Sequence, residues 1–539
     1  VDAGVITFIL YMILILGMGV YFTRRVQSYN DFIIGGRRFG PWVSSFSLIS
    51  SYMSGYTYTA APGMGYTQGF SSLWWASGDA PGNALSFGLL GRRLRKYSQM
   101  LDAITIPEFY EKRFKSPLIR LIASLIVLVF VGTHLVGQWQ ASGILLQVTF
   151  GTEYFTGLLI GGVVVLLYTL LGGYIAVMYT DALQGIVMFV GSQILFWLGL
   201  FYIGGFGSFT DNLAALNTEL VTPWGPGGQY FGIWAVVYPI ALILMGSLGY
   251  PHITVRHLSL RQPSTARKAM LITCILVVLF SFAYYLTGGL ALTILGEGLE
   301  DVEQAAVRLW FYLLPPVLAG ILSSAAIASI MSTADSFLIL LTTTVAHDLL
   351  YRFVSPEAME EQRTKWARIL AAILGVVTFI IAINPPALVF EIVIFAMGGM
   401  GLAFGIPNIF SVYWKKTSAF GVLLSMILTM LIYVGGTVAG ISPLGMHPFV
   451  AALIVGILAI VLGSLYTMPP EAEEFDEAAN YLDLPDDVVR EASPQTQFQA
   501  ESGLALLAGT RSRHDAQQKR SDDEAIEPHA GPAWVPGDD

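Results

Sequence analysis

Residues 44–69 read SSFSLISSYMSGYTYTAAPGMGYTQG. The stretch is long enough to cross the hydrocarbon of a bilayer, which takes about 20 helical residues, yet serine, threonine, tyrosine and glycine dominate it. An unsatisfied polar group is expensive in hydrocarbon, so such a segment faces protein or a water-filled cavity instead of lipid. Gly55, Pro62, Gly63 and Gly65 would permit an unwound stretch whose carbonyl oxygens could coordinate a cation; the same small residues would equally let helices pack closely.

The rest of the chain supports a membrane setting. Its 539 residues are 55% hydrophobic and 12% charged, with a mean hydropathy of +0.64, against roughly 25% charge in a soluble domain. So little charge cannot clothe a water-soluble particle of this size. A single cysteine, Cys274, excludes an intrachain disulfide and a multi-cysteine zinc cluster, and reads as a small core or lipid-facing residue. The net charge of −9 is concentrated after Pro470. Residues 471–539 read as an acidic, mostly disordered cytoplasmic tail. Residues 3–22 read as a first span, because no small-residue cleavage site follows them.

Apolar segments near 3–22, 41–66, 70–91, 118–149, 155–176, 179–202, 228–250, 266–290, 306–346, 364–383, 387–411, 417–438 and 447–467 predict about thirteen transmembrane helices and an all-α integral membrane protein. Short loops rich in arginine and lysine stay cytoplasmic. Arg24, Arg25, Arg37 and Arg38 follow the first span, and a larger basic group from Arg92 to Arg120 follows the third. Arg256 with Arg261, Arg352 with Arg363, and Lys415 with Lys416 continue the alternation. The intervening loops 203–227 and 291–305 carry Asp211, Glu219, Glu297, Glu300, Asp301 and Glu303 but no basic residue. The N-terminus is therefore expected outside and the C-terminus in the cytoplasm, with Arg308 as the one basic residue out of pattern.

The seventh span ends in MGSLGYPHITVRH, where Gly246, Gly249 and Pro251 again allow an interruption. Discontinuous helices in two halves of a transporter expose carbonyls and helix ends near the bilayer midplane. Breaks in spans 2 and 7 fit two inverted five-helix repeats. The expected organisation is 1–40 for the first helix and its loop, 41–202 for the first repeat, 203–227 for an extracellular loop, 228–411 for the second repeat and 412–470 for two additional helices.

Residues 320–350 read GILSSAAIASIMSTADSFLILLTTTVAHDLL. Ser329, Ser332 and Thr333 stand at i, i+3 and i+4 and so share one helical face. Their oxygens suit Na⁺, which exchanges its water shell for oxygen ligands; back-bonding to the helix's own carbonyls is the plainer alternative. Charge within a membrane is costly and points to function. Asp181, in LLGGYIAVMYTDALQG, reads as a second cation ligand, a guard of the inner vestibule, or a cap on a helix beginning at Thr180. Asp335 reads as part of the ion region or as a partner of a neighbouring helix. Asp79 reads as structural polarity, and His347 with Asp348 as cytoplasmic interface residues.

YNDFIIGGRRFGPW, AITIPEFYEKRF, LLYTLLGGYIAVMYTDALQG, GYPHITVRH and IMSTADS, spread over residues 1–465, resemble the sodium/solute symporter family, which includes bacterial pantothenate, monocarboxylate and proline sodium symporters. The resemblance implies uptake of a solute coupled to inward Na⁺ movement. It implies a sodium site of backbone oxygens at Ser50, Met53 and Ser329 with the hydroxyls of Ser332 and Thr333, and a sodium-linked role for Asp181. Tyr52 departs from the proline-transporting members, which carry an aspartate there.

The solute cavity is expected against Ser54, Gly55, Tyr56, His134, Gln138, Gly246 and Ser247, although His134 and Gln138 would also serve a helix contact. A small organic anion or zwitterion is favoured, from a monocarboxylate or pantothenate-like anion to an amino acid, its carboxylate held by hydroxyls, amides and helix ends. Na⁺ is the expected coupling ion. No cofactor, no nucleic-acid partner and no enzyme chemistry is implied, since neither a GxxxxGK loop nor a nucleophile arrangement is present. Proton coupling, or a solute receptor acting through the tail and a regulator bound to it, are the competing readings. A plasma membrane is the expected location.

Overall fold

The computed structural model describes residues 3–24, 29–357 and 359–467; the expected acidic tail lies outside them. Among the described residues the chain is helical, with no strand beyond one isolated bridge between Phe39 and Leu260. The helices that build the core and its rim are α1 (Ala3–Thr23), α2 (Pro41–Tyr52), α3 (Ala60–Gln68), α4 (Leu73–Leu85), α5 (Ile106–Phe114), α6 (Pro117–Phe150), α7 (Tyr154–Tyr202), α8 (Ile233–Gly249), α9 (Pro251–Leu258) and α10 (Thr265–Leu295). The chain continues through α11 (Ala305–Leu313), α12 (Pro316–Thr343), α13 (Glu360–Ile383), α14 (Val389–Met400), α15 (Ala419–Ala439) and α16 (Pro448–Tyr466).

Among the described residues nine helices are long and apolar enough to cross a membrane, and α8 with α9, bent by 42°, makes a tenth. The thirteen expected segments all fall on helix, but three do not meet that length and composition. Segment 41–66 is broken after Tyr52, segment 70–91 passes through a π-helical turn at Ser86–Gly91 into the basic helix Arg92–Met100, and segment 155–176 offers only the short apolar helix Tyr154–Leu167. Leu10, Val129, Trp197, Ile275, Leu431 and Leu462 lie exposed along the helices, an apolar surface that water would punish and lipid accepts.

Burial separates core from rim. The apolar stretches of Pro316–Val354 and Val389–Tyr413 are each 83% buried, against 22% for Val5–Phe22 and 28% for Ala419–Ala439. α12 is the central stave, packed on α7, α6 and α1; α2 lies on α7, α3 on α10, and α4 on α8. Pro62, Gly63 and Gly65 lie inside α3 and not in the break. Their role is close approach: a methyl group on Gly65 would sit 1.9 Å from the Tyr285 carbonyl oxygen of α10.

Two expected boundaries move. Segment 306–346 splits at Leu314–Pro315, because Pro315 and Pro316 both lack the amide that would continue α11, and the residue before a proline avoids helical geometry. The division between the fifth and sixth spans falls at Gly173, whose φ of 58° only glycine adopts readily. Helical geometry therefore starts about two turns before Thr180, so Asp181 caps nothing; Thr180 Oγ1 bonds back to Ala176 O at 2.9 Å.

In the AITIPEF motif Thr105 is the N-cap of α5, and Glu108 reaches back past it to the amide of the preceding residue. Thr105 Oγ1 accepts from Glu108 N at 3.1 Å and Glu108 Oε2 accepts from Ile104 N at 2.8 Å, which starts α5. Burial pushes the Glu108 carboxyl up, but the His347 hydrogen bond and the charges of His347, Lys112 and Arg120 outweigh it and hold Glu108 below the usual carboxylate range. Arg120 bridges Glu111 at 2.8 Å and Asp348 at 3.0 Å. His347 and Asp348 thus tie the end of the ninth expected span to α5 and α6.

Candidate functional site

The break after α2 follows from where four amides go. In a continuous helix, the N–H groups of Ser54, Gly55, Tyr56 and Thr57 would bond the carbonyls of Ser50, Ser51, Tyr52 and Met53. Here Ser54 N bonds Tyr52 O at 3.0 Å and Thr57 N bonds Ser54 O at 2.9 Å. Gly55 N donates to Gln138 Oε1 at 2.9 Å, and Tyr56 N donates to Ser54 Oγ at 3.3 Å. The carbonyls of Ser50, Ser51 and Met53 are released from the ladder.

α12 brings hydroxyls to that released edge. Ser332 Oγ donates to Ser50 O at 2.8 Å or to Ser329 O at 3.2 Å, and Thr333 Oγ1 to Ser51 O at 3.1 Å or to Ser329 O at 3.0 Å. Three carbonyls and two hydroxyls therefore converge where every contributing residue is fully or almost fully buried. Hard, uncharged oxygens in a dry setting are the ligands a monovalent alkali cation takes in exchange for water. Ser50, Ser329, Ser332 and Thr333 come together as expected. Ser51 joins them, a residue the sequence did not single out, while Met53 caps α2 and lines the adjoining cavity. Among the described residues no group of three or more His, Cys, Asp or Glu gathers as a metal cluster would.

Asp181 lies just beyond this edge, fully buried. Its Oδ2 is 2.7 Å from Arg256 Nη2, 2.9 Å from Ser51 Oγ and 3.2 Å from Ser47 Oγ, and its Oδ1 has no hydrogen-bond partner. Arg256 also donates to Ser51 Oγ and, at 2.9 Å, to Ser336 Oγ. The guanidinium gives the Asp181 carboxylate a tethered counter-charge. Arg256 was counted among the basic loop residues; it is instead buried, four residues after His252 at the end of the broken seventh span. The signal available was a lone arginine directly after a helix break. Asp335 is fully buried on α12 between Thr333 and Ser336.

A cavity of about 30 Å³ opens beside the break, room for about two waters. Ser54, Tyr56 and His134 line it as expected. The other expected contacts stand behind its wall. Gly55 packs against Ala141 and Ile330, Gly246 against Met397, and Ser247 Oγ donates to Tyr52 Oη at 3.1 Å or to Ile243 O at 3.0 Å. Gln138 spends its carbonyl oxygen on Gly55. Sequence reading missed Tyr52, Asp79, Tyr250 and Tyr284 as lining residues. Asp79 Oδ1 accepts from Tyr52 Oη at 2.7 Å, and its Oδ2 from Ser281 Oγ at 2.7 Å and Tyr284 Oη at 2.9 Å. A second small cavity touches Arg256, Ser336 and Thr105 and shares no lining residue with the first.

The family model described as the sodium:solute symporter family matches residues 32–429. Similar proteins include an osmoregulated proline transporter of Bacillus subtilis (strain 168), 29% identical with 86% of this chain and 94% of that protein covered. A sodium/pantothenate symporter of Escherichia coli (strain K12) is 30% identical, covering 87% and 98% of the two chains, and a sodium/proline symporter of the same organism is 29% identical, covering 90% and 98%. Among solved structures, a Na⁺-coupled sialic acid symporter in a substrate-bound outward-open state superposes with a TM-score of 0.74 at 18% identity over 87% of this chain and 98% of that one, a likeness of fold.

Proposed function

Since the chain belongs to the sodium:solute symporter family, we propose that it carries a small organic solute across the membrane with Na⁺ by alternating access. The observation that carries this reading is the meeting of the Ser332 and Thr333 hydroxyls with the released carbonyls of Ser50 and Ser51. A sodium ion held there by the carbonyls of Ser50, Ser51 and Ser329 and the hydroxyls of Ser332 and Thr333, with the Met53 carbonyl freed by the same break as a further ligand in this reading, would bind α2 to α12. Because α2 leads directly into the cavity wall at Ser54 and Tyr56, fixing that edge completes the solute pocket. Ion and solute then favour one closed state and are coupled by linkage without touching.

Asp181 and its arginine lie between this site and the second cavity, a position suited to the inner gate. Residues 41–202 and 228–411 form the two inverted repeats in this reading, with spans 2 and 7 as the broken pair and 412–470 peripheral. The N-terminus lies outside and the C-terminus inside a plasma membrane, in keeping with the basic loops. Inward sodium then draws on the membrane potential, worth about 2.3 kcal/mol per charge per 100 mV.

The test is uptake of labelled small carboxylates and amino acids into proteoliposomes under an inward Na⁺ gradient, with choline and a pH gradient alone as controls. Accumulation that requires Na⁺ and falls by about tenfold or more in Ser332→Ala/Thr333→Ala is expected. Uptake driven equally by the pH gradient and indifferent to that double substitution would establish proton coupling instead, and sodium-dependent binding without flux would establish a receptor.

A further inference from the structure

A buried carboxylate stands one helix away from Tyr52. Tyr52 Oη donates to Asp79 of α4, and Asp79 faces the cavity beside the break. Among the residues lining that cavity there is no lysine or arginine. His134, the one imidazole there, has its Nδ1 engaged by Tyr250 Oη at 3.1 Å, and among the described residues the hydrogen-bond donors to the Asp79 carboxylate are hydroxyls. Three donors take three of the roughly four acceptor positions of a carboxylate and leave one on Oδ1.

A second observation points to the same ligand chemistry. Tyr52, Tyr56, Tyr250 and Tyr284 line the same cavity as Asp79. A carboxylate amid tyrosine rings in a water-poor pocket is how proteins hold an ammonium group, by charge and by the negative ring faces. For a solute with a carboxylate and no nitrogen the same wall is repulsive, with no lysine or arginine on it to offset Asp79.

We infer that Asp79 is a specificity-determining residue that pairs with a positively charged nitrogen on the solute, so that the transported class is ammonium-bearing, an amino acid or betaine, and not a nitrogen-free carboxylate or a pantothenate-like anion. This rests on the symport reading and narrows its substrate. The hydroxyls of Ser281 and Tyr284 hold Oδ2 and leave Oδ1, beside Tyr52, to meet the solute.

The test uses the full chain, purified, and measures thermal stabilisation with and without Na⁺ by pairs of probes that differ in the charged nitrogen: L-proline against tetrahydrofuroate, β-alanine against hydroxypropionate, and trimethylglycine against tert-butylacetate, with pantothenate and pyruvate added. In at least one pair the ammonium member is expected to bind roughly tenfold or more tightly than its isostere. Asp79→Asn is expected to erase that preference and Asp79→Glu to restore part of it. Stabilisation of Asp79→Asn by Na⁺ alone, through Ser332 and Thr333, shows that the variant is folded; if it is not, the pairs on the unaltered protein decide. Binding of pyruvate, pantothenate or the isosteres equal to or tighter than that of every ammonium probe, no binding by any ammonium probe, or a preference unchanged in Asp79→Asn overturns the inference. Loss of Na⁺ dependence across the panel instead overturns the symport reading, while the nitrogen preference stays readable.

Discussion

Gly55 N–H donates to Gln138 Oε1 at 2.9 Å, and this bond takes from Ser51 O the donor that would have continued α2. Gln138 is fully buried on α6, so a side chain on one helix keeps a second helix open. Replacing it with leucine leaves a buried N–H unsatisfied, at a cost of about 1–3 kcal/mol, or lets the helix close and withdraw the Ser51 carbonyl. Gln138→Leu is predicted to raise the Na⁺ concentration for half-maximal uptake by roughly tenfold, while apparent solute affinity at saturating Na⁺ stays within about twofold. A variant that weakens solute and leaves Na⁺ unchanged would return Gln138 to the solute site.

Arg256 and Asp181 are both buried, 2.7 Å apart. Removing one partner of a buried ion pair strands the other charge, typically at about 3–5 kcal/mol. Arg256→Ala is therefore predicted to melt well below the unaltered protein in sodium-free buffer and to regain stability as Na⁺ is added, since a free cation can then take the guanidinium's place beside Asp181. Arg256→Ala/Asp181→Ala is predicted to melt higher than the single variant without Na⁺ and to lose the added sodium response. Equal melting of single and double variants at every Na⁺ concentration would show that the pair is not coupled.

Much of this arrangement was legible from side-chain type and spacing. Polar content marked 44–69 as facing protein, and the i, i+3, i+4 spacing of Ser329, Ser332 and Thr333 marked one face of α12. Sequence cannot show which carbonyls a break releases, because that depends on where each amide goes. Ser51 became a contributor through the bond between Gly55 and Gln138, residues 83 positions apart in the chain. Arg256 was misplaced for a related reason: an ionisable residue's meaning lies in what faces it across helices, and what faces Arg256 is the buried Asp181.

The small-residue reading of the polar second span holds for its second half, and it makes a steric prediction. A methyl group on Gly65 would lie 1.9 Å from Tyr285 O, and one on Gly288 would lie 1.9 Å from Pro62 O, both backbone atoms that cannot swing aside. Gly65→Ala and Gly288→Ala should each cost about 3 kcal/mol, the upper end of ordinary overpacking. Gly207→Ala, which meets nothing within 4 Å, serves as the control. The comparison is the fraction of protein still monodisperse on size-exclusion chromatography after a heat step, and parity of all three variants would count against the packing described.

Glu303, in the loop before α11, accepts from the amides of Phe390 at 3.1 Å and Val389 at 3.4 Å at the start of α14. Phe390 stacks on Tyr56, a wall of the cavity beside the break, with ring centroids 6.0 Å apart, so this loop is tied to the cavity wall. Burial pushes the Glu303 carboxyl up from 4.5 to about 7; the Phe390 amide opposes the shift and Asp301 adds to it. The raised value means that the packed arrangement binds the proton more tightly than an opened one. Its contribution is therefore complete below pH 4.5 and is lost as the pH rises through about 7. Hydrogen exchange at the Val389 and Phe390 amides, corrected for intrinsic rates, is predicted to show opening that grows between pH 5 and 8 by up to roughly a hundredfold. In Glu303→Gln, which cannot ionise yet still offers an amide oxygen to both N–H groups, the corrected opening is predicted to be flat with pH. A flat profile in the unaltered protein would remove Glu303 from the tie to the cavity wall.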